Sequence, residues 1–188
     1  MKRQWMTRRL GPLAILLGLA GGMAQGAEQM LEDFSGAPEA RWSFISDQVM
    51  GGASNGTVAF EQVDGLPALR LRGDVSTKNN GGFIQARLML PEALPEGAEG
   101  LELRVRGNGQ GYFVHVRTGG TVLPWNFYQA PFEAGDDWSV VRIPFSAFKA
   151  QGMLLRKSLA AGAVKSIAVV AYGRDYAADV MVSAIKSY

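Results

Sequence analysis

The chain of 188 residues contains no cysteine and a single histidine, His115. Without a thiol, thiol catalysis, disulfides and every cysteine-ligated metal site are excluded, and one imidazole cannot build a histidine-rich metal centre. A domain of this length without disulfides must be held by its core, which it is large enough to form. Phosphate-loop and dinucleotide fingerprints are absent too, and no glycine-rich stretch sits between a strand and a helix, so no cofactor is expected. Carboxylates are present but show no calcium-loop spacing.

Positive charge is also scarcer than the total suggests. The formal net charge is +2, but Lys2, Arg3, Arg8 and Arg9 precede an apolar run from Leu10 to Ala20 and small residues Gly21, Gly22, Ala24 and Ala27. This is the pattern of an export signal, with cleavage after Ala24 meeting the small-x-small rule. The run is shorter than the about 20 residues a membrane span needs, so residues 1–24 are expected to leave no stable span. Removing those four cations leaves 15 basic against 17 acidic residues, a net charge of −2. No basic cluster remains to bind phosphates, so nucleic acid is excluded as a partner. The mature domain is expected over residues 28–188, periplasmic or secreted.

What is abundant is glycine, with 24 residues, and short stretches of alternating polarity. Such stretches begin at Met30–Phe34 and Trp42–Ile45, and Asn55-Gly56 reads as a hairpin turn before Thr57–Phe60. Asp64-Gly65 marks another turn, after which Leu69 and Leu71 alternate with Arg70 and Arg72. In Phe83–Leu90, Ile84, Ala86 and Leu88 share one face, with Gln85 and Arg87 opposite. Leu101, Leu103 and Val105 alternate with charges, and Gly107-Asn108-Gly109 leads into Tyr112–Arg117, read together as a hairpin. Trp125–Phe132, Trp138–Phe145, Ser166–Tyr172 and Val180–Ile185 follow, Ser166–Tyr172 apolar enough to be a central strand, and Met153–Ala161 is the one expected helix. Roughly ten strands with turn signals between them predict an all-β sandwich.

Candidate chemistry is sparse. His115 lies on the polar side of its strand and reads as a surface or rim residue, since no nucleophile elbow accompanies it. Carboxylates come nearest to a usable set, at Asp47, Asp74, Asp136, Asp137, Asp175 and Asp179. A glycoside hydrolase would need two of them facing each other at roughly 5 to 9 Å. Aromatic side chains could stack on sugar rings. Trp42 and Trp138 are expected in the core, whereas Trp125, after Pro124, is expected to be exposed, with Tyr128 beside it.

Two related stretches stand out: Trp42–Ser54 (WSFISDQVMGGAS) and Ser76–Phe83 (STKNNGGF). Each passes from polar residues to a glycine pair, Gly51-Gly52 or Gly81-Gly82, which reads as a tight turn or a close backbone approach. Asp47 is expected to accept backbone amides of the Met50 turn, a structural role. The ordered motif of Trp42, Asp47, Met50, Gly51, Gly52 and Ser54, then Asn79, Asn80, Gly81, Gly82 and Phe83, resembles the CIA30 family, that of complex I intermediate-associated protein 30. The resemblance continues through Leu101–Gly107, Asn108–Arg117, Tyr128–Phe132 and Trp138–Phe148, and is loose from Gly173 onward. It implies a galactose-binding-domain-like jelly roll and, by the family's name, assistance to assembly of NADH:ubiquinone oxidoreductase; it brings no catalytic residues.

The leading expectation is therefore a non-enzymatic binding module of the bacterial cell envelope, an assembly or stability factor for a protein partner there. The alternative is a carbohydrate-binding sandwich that uses Trp125 and Tyr128 on a glycan. A carboxylate-based hydrolase ranks third.

Overall fold

The computed structural model describes residues 28–153 and 155–188; the expected signal peptide lies outside them. Among the described residues the strands are β1 (Gln29–Glu32), β2 (Trp42–Ser46), β3 (Asn55–Val63), β4 (Leu66–Val75), β5 (Phe83–Met89) and β6 (Gly100–Gly107). They continue as β7 (Gln110–Thr118), β8 (Phe127–Ala134), β9 (Ser139–Pro144), β10 (Lys149–Gln151), β11 (Val164–Tyr172) and β12 (Tyr176–Ser187). Two antiparallel sheets result. The first has the order β3-β4-β12-β6-β9, with β1 on β12 beyond the end of β4; the second runs β10-β8-β7-β11-β5-β2. The chain passes from sheet to sheet in jelly-roll fashion.

The core lies between the sheets, built by period-two alternation. Leu69 and Leu71, Leu101, Leu103 and Val105, and Val180 and Val182 project from the first sheet. Ile84, Ala86, Val114, Val116, Ile167 and Val169 meet them from the second. Burying each large aliphatic side chain contributes about 1.5–3 kcal/mol, which lets the domain stand without a disulfide. The β3–β4 hairpin closes on Asp64 (φ 52°) and Gly65 (φ 77°), both left-handed, as a two-residue turn matching strand twist requires. β11 is indeed central, flanked by β7 and β5 and buried along nearly its whole length.

Four expectations are corrected. The β6–β7 stretch is not a hairpin, because its strands belong to different sheets. Alternation within each strand is the same whether it pairs with its neighbour in sequence or with a distant partner. At the crossing the Gly107 and Gly109 amides donate to the carbonyls of Gly135 and Ala134, and a Cβ on Gly107 would stand 2.8 Å from the Ala134 Cβ. Asn55-Gly56 opens β3 rather than turning, since both residues pair with Asp74 and Gly73 of β4. The expected helix after Met153 is absent from described residues 155–160: the Arg156 carbonyl is taken by the Tyr128 hydroxyl, and Leu155 and Leu159 anchor an irregular segment to the core. Trp138 is half-buried rather than a core residue, its indole N–H donating to Asp64.

The inter-sheet crossing is locked by Tyr112. Its ring is wholly buried, its hydroxyl donates to Asn108 Oδ1 at 2.5 Å and accepts the Asp179 amide of β12 at 3.0 Å, and Asn108 in turn donates to the Ala177 carbonyl. Burial pushes the phenol pKa up to about 12, so it stays a neutral donor. Replacing Tyr112 by Phe keeps the ring and leaves the Asp179 amide without its acceptor. A loss of about 1–2 kcal/mol is expected in calorimetry or urea melts; an unchanged midpoint would show that the hydroxyl carries none of the lock.

Candidate functional site

β2 ends at Ser46, and the chain makes one 3-10 turn over Asp47–Met50, stopped by Gly51 in the left-handed conformation (φ 84°). The turn closes through its own backbone, Gly51 and Gly52 donating to the carbonyls of Gln48 and Asp47. This leaves the Asp47 carboxylate free to reach elsewhere, and it is completely buried. It accepts the Ser54 amide at 2.9 Å, the Ser54 hydroxyl at 2.5 Å, the Gly82 amide at 2.5 Å and the Phe83 amide at 3.3 Å. The expectation that it serves the Met50 turn is thus corrected: Asp47 joins the two glycine motifs.

Both motifs are shaped around that carboxylate. A Cβ on Gly52 or Gly81 would overlap it, and Gly81 also packs closely on the Gly52 backbone. Asn79 and Asn80 both take positive φ, and the Asn79 side chain donates to the Gly51 carbonyl. The Ser54 hydroxyl accepts the Ser76 amide, and Gly173 donates to the Gly82 carbonyl. Burial alone would raise the Asp47 pKa, but the bonds from Ser54, Gly82 and Phe83 outweigh it and hold the carboxyl below its ordinary value. Met50 and Val49 project into solvent beside this knot.

The aromatic candidates divide differently. Trp42 is buried, stacked on Phe34 at 5.6 Å, with its indole N–H on Glu32. Tyr128 is buried with its hydroxyl on the Arg156 carbonyl, so it offers no face to a ligand. Trp125 is 60% exposed, as expected, on the β7–β8 loop. Arg117 fastens that loop, donating to the carbonyls of Thr121, Leu123 and Pro124. Of the carboxylates, Asp175 accepts from Thr77 and Asp179 is paired with Arg70. No group of three or more histidine or acidic side chains among the described residues could hold a metal.

The face of the second sheet turned away from the core was not singled out from sequence. Directly paired residues share a face, so the registers define one row across all six strands: Ser43, Arg87, Ala168, His115, Gln129 and Lys149. His115 is only 8% exposed, which corrects its reading as a rim residue. Phe127 stacks on its imidazole at 4.1 Å, Tyr172 meets it edge-on at 5.5 Å, and Phe113 lies at 6.3 Å. Burial, opposed by the neighbouring Gln129 side chain and helped by the charge of Arg87, pushes its pKa down to about 3, so the ring is neutral. Neither His115 Nε2 nor Gln129 Oε1 has a hydrogen-bond partner. Beyond Phe113 the face continues into an open depression of about 390 Å³ lined by Pro131, Glu133 and Arg174. Neutral polar groups beside half-buried rings can grip a molecule that is apolar on one side and hydroxylated at its edge.

The family model for Complex I intermediate-associated protein 30 (CIA30) matches residues 32–178. Among curated proteins, none matches the chain. Solved structures share its architecture. The family 11 carbohydrate-binding module from Clostridium thermocellum, in complex with a beta-1,3-1,4-mixed-linked tetrasaccharide, superposes with a TM-score of 0.70 at 17% identity, over 85% of this chain and 94% of that one. The family 11 module of a cellulosomal cellulase of Clostridium thermocellum gives 0.71 at 16% identity, over 86% and 94%. A family 30 carbohydrate-binding module gives 0.57 at 16% identity, over 86% and 98%. At such identities the likeness is one of fold.

Asp47→Asn removes the charge and turns a donor amide towards buried N–H groups, an expected loss of about 3 kcal/mol in urea melts. Because the folded pKa is depressed, the Asp47 contribution is complete above the ordinary carboxylate value and is lost as pH falls through the folded value. The wild type should therefore lose more stability than the variant between neutral and acid pH. Parallel pH profiles would show that the carboxylate is not the tie.

Proposed function

The chain belongs to the CIA30 family, and from that premise we propose that it is a non-enzymatic binding module whose ligand is a glycan held on the outer face of the second sheet. The observation that carries this reading is the row through His115 and Gln129, flanked by Phe113, Phe127 and Tyr172. A sugar ring has an apolar face of C–H groups and an equator of hydroxyls, and it needs an aromatic surface and fixed neutral hydrogen-bonding groups side by side. The fold shared with carbohydrate-binding modules supports the same reading as an analogy. Trp125, on the loop that Arg117 holds at one end of the face, extends the platform. The export-type pattern of Lys2, Arg3, Arg8 and Arg9 before an apolar run supports, within this reading, work in the bacterial cell envelope or beyond it.

A second reading, an assembly or stability factor for an envelope protein, is favoured by the exposure of Val122, Leu123 and Trp125 on one loop. Such side chains gather at protein interfaces.

Affinity electrophoresis through gels containing mixed-linkage β-glucan or other plant and bacterial polysaccharides separates the two. Retardation by at least one polysaccharide is expected, with Phe127→Ala abolishing it in a protein that is still folded at the assay temperature, and Trp125→Ala weakening it by about 1–2 kcal/mol without a change in melting temperature. Absence of retardation in every gel, together with crosslinking to one protein through the Val122–Trp125 loop, would move the function to the second reading.

A further inference from the structure

The two outer faces of the sandwich differ in how much of their charge is paired. On the first sheet, Arg70 and Arg72 pair with Glu61 and Asp179, Arg106 with Asp64, and Arg142 with Glu102 and Glu28. Most cations of that sheet are paired, Arg104 and Lys186 being the exceptions among the described residues. On the second sheet, Arg87, Arg117 and Lys149 all sit on the outer face, and none of them forms an ion pair among the described residues. The six strands of that sheet contain one carboxylate, Glu133, at the far end opposite Gly111.

Arg117 spends its guanidinium on the loop carbonyls, but Arg87 has no such use. It is half-buried on β5 with no side-chain hydrogen bond among the described residues, and burial together with the charge of Arg117 lowers its pKa. A guanidinium carries five donors in a planar fork, and those of Arg87, which no protein group among the described residues takes, face solvent and are free for a planar acceptor. Between Arg87 and His115 the row holds only Ala168, so the fork and the neutral imidazole flank one small residue on the same face.

From this arrangement we infer that the second sheet's outer face selects a saccharide bearing carboxylate groups, a uronate-type chain, with Arg87 as the carboxylate fork. The inference rests on the glycan reading and sharpens it. Phe127 and Tyr172 carry the apolar face of the chain beside Gln129, and Lys149, four strands or about 19 Å from Arg87, meets the charge of a later residue. A planar carboxylate accepts two parallel N–H bonds from guanidinium, which gives orientation as well as attraction. A neutral sugar leaves Arg87 as it is now, half-buried and unanswered.

The test is calorimetric titration of the untagged protein with oligogalacturonate, the neutral cellotetraose and polyaspartate, at low and high salt. It is run alongside ¹⁵N NMR of the one imidazole in the chain. The expected result is binding of the uronate, weakened by salt and by at least about tenfold in R87Q, with the His115 nitrogen signals moving on saturation. R87K, which keeps the charge but not the fork, should retain the salt dependence and lose part of the affinity, and this guards against a folding defect in R87Q. Equal affinity for cellotetraose, unchanged by R87Q, would overturn the selection for acid while leaving glycan binding intact. Polyaspartate binding as tightly as the uronate would overturn it differently, showing attraction to charge alone. No binding by either saccharide to the folded protein would remove this inference, and the reading beneath it falls only if no polysaccharide gel retards the protein.

Discussion

One buried carboxylate organises an entire end of this domain. Asp47 sits where the chain leaves β2, and four donors from two separated stretches converge on it. An ionised carboxylate without partners in such a place would cost several kcal/mol; with them, it holds segments that have little side-chain volume of their own. The glycines at 52 and 81 follow from the carboxylate, because nothing larger leaves it room. The asparagines at 79 and 80 follow from the path the chain must take to deliver the Gly82 amide. The motif that marks the family is thus a single structural solution spread over two stretches of sequence.

How far the structure could be read beforehand depended on the range of the interaction. Alternation is local, so β4, β5 and β6 were legible with their apolar faces correctly assigned, and the apolar run of β11 was legible as a central strand. The Asp64-Gly65 turn was legible for the same reason, as its conformation is set by two residues. Sheet membership was not. Val105 and Val114 show the same pattern on either side of a glycine turn, yet one pairs with β12 and the other with β11. The site suffered most from this. His115, Phe127 and Tyr172 come together only through the β11–β7 and β7–β8 registers, and no spacing along the chain announces it. Tyr128 was taken for a platform when its neighbour Phe127 is the ring that faces outward, a parity that is fixed only by pairing.

The sandwich therefore separates its tasks by place. One end is closed by the Asp47 knot, the first sheet's outer face pairs most of its charges, and the second sheet's outer face keeps unpartnered polar groups. Stability resides in the first two and in the core, so the third is open to change without loss of fold. Such a division explains how one architecture, shared at 16–17% identity with carbohydrate-binding modules, persists while its surface chemistry diverges.

The position of β12 in the first sheet carries a consequence for synthesis. It is the last strand in chain order, yet β4 and β6 meet only through it. Until those residues leave the ribosome, half of the core has no lid, and the β3–β4 hairpin and β6 are left as open edges. Closure over such separations is slow, so the first sheet is completed by its most distant pairings and its edges stay exposed longest during folding.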